Sequence, residues 1–224
     1  ELLRGFEVFP DAVSCGGAQL LPEDATSFEK KVFLLMKKAG FISEYMRNSD
    51  KSGITEVGHN ASCNVMYRRD GFLQMQGFLK GLWPGEDVEL DYRLRKAGKK
   101  IIYNPKAVVF HYRPRHLAAF LKMMLRYGWA QGILVRRYGF FRKIQVLPFL
   151  VPLCSAILIA AIFNLSSFWF PILFLCFVIL AYLKFDFTLM LLSVSGFVAW
   201  NLGFLKSFLM IGKSNHPFKK FIRK

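Results

Sequence analysis

Glu86 and Asp87, side by side after Pro84-Gly85, are the residues of this chain best placed for acid–base chemistry. The proline–glycine turn signal puts both carboxylates in the first turn of a helix, which Leu90, Leu94 and Ala97 continue at helical spacing as its buried side. Gly98 stands where a left-handed residue closes a helix. A carboxylate held at a helix start, at the mouth of a pocket, can take the proton of a substrate hydroxyl. Glu86, Asp87 and Glu89 would equally complement the helix dipole. On the helix alone, the dipole reading is the stronger.

Other elements must position this pair. Lys100–Tyr103 is strand-like, Asn104-Pro105 reads as a turn, and Ala107–His111 reads as a second strand. Thr26-Ser27-Phe28-Glu29 is a capping box, followed by Phe28, Val32, Leu35 and Met36 at helical spacing and by Gly40 as a stop. Ile54–Val57 and Ser62–Tyr67 read as strand pieces around His59-Asn60. Taken alone, Asn60 is a turn asparagine and Arg68 a solvated arginine. His116–Arg137 reads as an amphipathic helix, with Leu117, Phe120, Leu121, Met124 and Leu125 apolar and Lys122, Arg126, Arg136 and Arg137 charged. That composition suits a helix lying against lipid headgroups.

The apolar content of 54% is unevenly spread. Ile144 to Leu183 carries no charge, and the runs 144–163 and 165–183 are each long enough to cross a bilayer. A third run, Phe187 to Gly212, holds Asn201 and Lys206 and reads as interfacial or re-entrant. Basic clusters before the first run and at the end of the chain favour two full spans, with both clusters inside. The net charge of +16 sits beside these runs, and no nucleic-acid signature accompanies it, so membrane lipids rather than nucleic acid are the expected partner. Cys15, Cys63, Cys154 and Cys176 show no C-x-x-C spacing, which argues against a zinc site or a disulfide framework.

His59–Arg69, then Gly85-Glu86-Asp87 with its helix, then Tyr103-Asn104-Pro105 and His111, occur in an order that resembles family 2 glycosyltransferases of the GT-A fold. The likeness is nearest to membrane-attached bacterial enzymes that build exopolysaccharides such as succinoglycan. It runs from about Gly16-Gly17 to Gly132, and more weakly into the apolar region. The resemblance implies an α/β architecture, the C-terminal part of a GT-A domain, followed by transmembrane helices. It implies that Asp87 is the catalytic base, that Glu86 shapes the acceptor site, and that Asn60 and Arg68 contact substrate. His111 would join the metal or diphosphate shell. Processive synthases of the superfamily carry Gln-x-x-Arg-Trp where this chain has Met123-Met124-Leu125-Arg126-Tyr127. Arg126 keeps a diphosphate contact available, while the missing partners favour single sugar additions.

The Asp-x-Asp of the family is not found before Gly58, and the chain begins at Glu1. The expectation is therefore a fragment without the nucleotide-binding half, inactive alone, whose divalent metal (Mg or Mn) is held mostly elsewhere. Residues 1–112 would be the acceptor side of the catalytic domain and 113–143 an interfacial helix with a basic linker. Residues 144–212 would form a membrane region of two to three helices, and 213–224 a basic tail. The implied activity is inverting transfer from a nucleotide-sugar donor to a polyprenyl-linked acceptor, on the cytoplasmic side of the plasma membrane. A non-catalytic membrane anchor or assembly partner with a degenerate domain is the alternative. A transporter is disfavoured because the apolar runs hold almost no ionisable residue.

Overall fold

The computed structural model describes residues 1–39, 53–150 and 186–210. Its centre is a four-stranded mixed sheet in the order β2-β4-β1-β3, where β1 is Ala12–Leu20, β2 Thr55–Glu56, β3 Val65–Tyr67 and β4 Lys100–Phe110. β1 and β4 run parallel, and the short β2 and β3 add antiparallel at the outer edges. The helices are α1 (Leu2–Val8), α2 (Ser27–Ala39), α3 (Arg69–Gln74), α4 (Glu86–Lys96), α5 (Leu117–Tyr138) and α6 (Phe187–Leu209).

β1 carries no alternation because every residue from Ala12 to Gln19 is buried. Its small side chains are a steric requirement. A Cβ at Gly16 would lie 2.2 Å from the Asn60 side chain, and one at Gly17 would lie 2.0 Å from the Ala107 carbonyl oxygen. A glycine pair reads as a breaker in sequence, so this central strand escapes a propensity argument. β4 corrects the expected turn at Asn104-Pro105. It is one eleven-residue strand whose register jumps from Gly17–Asn104 to Ala18–Val108. Pro105 has no N–H to give the ladder and falls in that unpaired stretch. Ser62–Asn64 likewise forms a 3-10 turn instead of strand.

The capping box of α2 is present: Thr26 N donates to Glu29 Oε2 at 2.9 Å, and Glu29 N donates to Thr26 Oγ1 at 3.2 Å. The expected stop at Gly40 lies outside the described residues. α4 starts from Gly85 at φ 105 and ends in a Schellman turn, with Lys99 N donating to Leu94 O at 2.9 Å and Gly98 N to Arg95 O at 3.0 Å. Leu90 and Leu94 are buried as expected, but Ala97 is the exposed C-cap. Glu89 and Asp91 occupy the buried side instead. Glu89 is satisfied by a bidentate pair with Arg93, at 2.6 and 2.8 Å, and by the Tyr138 hydroxyl, which ties α4 to the end of α5.

α5 and α6 cross at close range. A Cβ on Gly128 would fall 1.8 Å from the Trp200 carbonyl oxygen, one on Gly132 2.0 Å from Ser207 Oγ, and one on Gly203 2.0 Å from the Leu125 carbonyl oxygen. Small residues four apart let two backbones approach in this way. α5 thus packs its inner side on a partner helix. α6 is a continuous helix of 23 residues, long and apolar enough by length and composition to cross a membrane. One side meets α5, and Leu191, Val194, Val198, Leu202 and Leu209 face outward. The runs expected to span first lie, beyond Leu150, outside the described residues.

Candidate active site

Glu86 and Asp87 open into a cavity of about 480 Å³ between the start of α4, the 59–63 loop and α5. Asp87 is aimed by two backbone donors: Val88 N reaches its Oδ1 at 2.7 Å, and Ser62 N reaches its Oδ2 at 3.0 Å. The Ser62 hydroxyl donates to Glu86 Oε1 at 3.4 Å, while Glu86 Oε2 is buried without a partner. Burial, and then the neighbouring Asp87 charge, push the Glu86 carboxyl above the usual carboxylate range.

The loop that supplies Ser62 is held from below by Asp91. This wholly buried carboxylate lies 2.8 Å from His59 Nδ1, accepts from Asn60 N at 2.8 Å and receives the Tyr67 hydroxyl at 3.4 Å. Burial, and then the Asp91 charge, hold the Tyr67 hydroxyl well above the ordinary tyrosine value. Glu86, Asp87 and Asp91 thus come from one helix, but only the first two line the cavity. Asp91 fixes the geometry around them.

The cavity also has a cationic side. Arg113, Lys122, Arg126 and Arg142 line it, and the Arg126 guanidinium sits 5.2 Å from the centre of the Trp83 ring. Lys122 and Arg126 are one helical turn apart on α5, so both face the same way. Cys63 lies within the field of both sides: burial raises its thiol pKa, Arg113 pulls it down and Asp87 pushes it up. His111 lines the cavity too. Its Nδ1 is buried and unpartnered, and burial followed by the Arg113 charge lowers its pKa, which favours the neutral imidazole.

Of the residues singled out in sequence, Glu86, Asp87, His111 and Arg126 therefore share one cavity. Asn60 and Arg68 are placed elsewhere. Asn60 is 1% exposed, and its Nδ2 donates to the Ile102 carbonyl at 2.8 Å, so it pins the loop to β4. Arg68 donates from Nε to the Ala12 carbonyl at 2.9 Å and lies over the Phe6 ring. Gln19, Arg113, Lys122 and Trp83 join the site without any signal in sequence, because a strand-end glutamine and a loop arginine look like ordinary surface residues. Among the described residues no three His, Cys, Asp or Glu side chains converge in a way that could hold a metal ion. His111 is one donor, too few to form a site for the divalent cation that the resemblance implies.

The profile of a family described as glycosyl transferase family group 2 matches residues 21–202. A relative from Methanococcus voltae is named dolichyl N-acetyl-alpha-D-glucosaminyl phosphate 3-beta-D-2,3-diacetamido-2,3-dideoxy-beta-D-glucuronosyltransferase. It is 34% identical over 65 residues, which cover 29% of this chain and 20% of the relative. The matched stretch thus spans about a fifth of that protein. No solved structure matches the chain.

Proposed function

The chain belongs to glycosyl transferase family group 2, and from that premise we propose that it carries the acceptor side of an inverting, GT-A-type transferase acting on a lipid-linked saccharide. One observation carries this reading. The Glu86-Asp87 pair, at a helix start, opens into the same cavity as Arg113, Lys122 and Arg126.

On this reading the acceptor hydroxyl meets Asp87, whose two oxygens are already fixed by the Ser62 and Val88 N–H groups. As the hydroxyl oxygen attacks the anomeric carbon, its proton passes to Asp87, and the bond from that carbon to the diphosphate oxygen breaks. Attack and departure on opposite faces invert the anomeric centre. The charge gathering on the nucleoside diphosphate is met by Arg113, Lys122 and Arg126. A divalent metal would add to this neutralisation when bound, with His111 at the cavity wall as a candidate donor.

The lipid-linked acceptor has two supports. The name of the archaeal relative specifies a dolichyl-linked phosphate sugar. The cavity is also lined by Trp83, Met123, Tyr127 and Trp200, and Trp200 belongs to the apolar helix α6. Residues 1–112 are then the C-terminal portion of the catalytic domain and 113–143 the juxtamembrane helix and linker. Residues 144–212 would form a multi-pass anchor in the plasma membrane, and 213–224 a cytoplasmic tail. Exopolysaccharide assembly of the succinoglycan type is the setting this arrangement suits.

Asp87→Asn in the full-length enzyme tests the assignment. Turnover should fall about a hundredfold or more, with nucleotide-sugar affinity retained. Near-normal turnover would overturn the role.

A further inference from the structure

Arg113 is a buried cation with no carboxylate of its own. It is 6% exposed, and among the described residues no Asp or Glu forms an ion pair with it. Glu29 is engaged by the Thr26 cap and lies 3.7 Å from Arg115. Arg113 gives one nitrogen, Nη2, to Gln19 Oε1 at 2.9 Å and faces the Phe33 ring at 5.7 Å. Its Nε has no partner. Gln19 is 3% exposed, and because its oxygen is taken by Arg113 its free group is the Nε2 amide, also unpartnered.

An unpaired charge and an unpaired amide in the interior are each costly unless a ligand completes them. Both free groups here are donors, so the missing ligand is an acceptor-rich anion. The topology agrees. Gln19 is near the end of β1 and Arg113 lies three residues past β4, whose last residue pairs with Leu20. β1 and β4 are parallel, and ligands of open α/β sheets gather at the carboxyl ends of such strands. Both residues line the cavity that holds Asp87.

We propose that Gln19 and Arg113 form a phosphate-binding subsite of this cavity, with the bridging hydrogen bond between them orienting the remaining donors toward one phosphate group. The inference rests on the transferase reading for its biological ligand but not for the binding itself. A phosphate group could belong to the donor diphosphate or to the lipid phosphate of the acceptor, and the chemistry of recognition is the same.

The test uses the full-length protein in detergent, titrated with pyrophosphate and, separately, with a polyprenyl phosphate, followed by the fluorescence of Trp83 and Trp200. Gln19→Glu is the decisive variant. It keeps size and ion-pairs with Arg113, so a purely structural role predicts unchanged or higher thermal stability and unchanged titrations. The proposed role predicts retained stability and at least a tenfold loss of affinity, because the free donor has become an anion. Arg113→Gln should lose affinity similarly. Loss confined to pyrophosphate assigns the subsite to the donor, and loss confined to polyprenyl phosphate assigns it to the acceptor. Titrations unchanged in both folded variants would overturn the subsite. If Asp87→Asn keeps its turnover while Gln19→Glu loses phosphate, only the transferase mechanism falls.

Discussion

At the residue scale, Glu86 and Asp87 are neighbours with different surroundings. Asp87 accepts two backbone N–H groups, whereas Glu86 receives one long hydroxyl bond and keeps a buried oxygen without a partner. The Glu86 carboxyl is consequently shifted up. A carboxyl with a raised folded-state pKa binds more protons folded than unfolded between its two pKa values, so stability declines as pH rises through that window. Glu86→Gln removes the decline. Its melting temperature should gain on the parent protein as pH rises from below the ordinary carboxylate value toward neutrality, and the two should converge at acid pH. A constant difference across that range would remove Glu86 as the source. The same scale explains why Asn60 could not be assigned from sequence. Its type suits a turn or a substrate contact equally, and the Ile102 carbonyl that occupies its amide lies 42 positions away in the chain.

At the element scale, two glycines separate backbone conformation from packing. Gly98 has φ +70 and open space where a Cβ would go, so Gly98→Ala tests the left-handed C-terminal residue of α4 alone. It should cost about 1 kcal/mol, measured by denaturant or thermal unfolding. Gly128 sits inside α5 with ordinary helical geometry, yet its Cβ would strike the Trp200 backbone. Gly128→Ala should cost more, up to about 3 kcal/mol, because α5 and α6 must move apart. It should also disturb the fluorescence of Trp200, which lines the cavity. Equal costs for the two variants would argue against the tight crossing. Both ends of α4 were legible as a Pro-Gly start and a glycine stop, because caps are local. The crossing was not, because Gly128 and Gly132 acquire meaning only from the partner surface.

At the scale of the whole molecule, a mixed α/β body and an apolar helix share one packed interface. Phe120 and Met124 on α5 and Leu192, Trp200 and Phe204 on α6 belong to the same core as Leu90, Leu94, Ile101 and Tyr103. The outward side of α6 is apolar along its length, with Phe187 67%, Val194 58% and Leu209 63% exposed. An exposed apolar stripe of this length, together with an uncharged run from Ile144 to Leu183, favours residence in lipid. The expressed chain should stay in the membrane pellet after alkaline carbonate and be released only by detergent. Release by carbonate alone would remove the membrane assignment.

The sequence by itself determined what depends on near neighbours. The capping box of α2, the start and stop of α4, the amphipathic run of α5 and the apolar runs all follow from residues within a few turns of one another. The carboxylate pair was legible for the same reason, since adjacency at a helix start is a local property. Only the tertiary structure decided what depends on distant approach. β1 is a central strand because β3 and β4 pair with it on either side. Its glycine pair is required because Asn60 and Ala107 come too close to Gly16 and Gly17 for any Cβ, and β4 runs through Asn104-Pro105 because β1 supplies its ladder on either side. The cationic side of the cavity is of this kind too. Gln19 and Arg113 are 94 positions apart, and neither shows its role until two parallel strands bring their ends together and bury an arginine that has no counter-charge among the described residues.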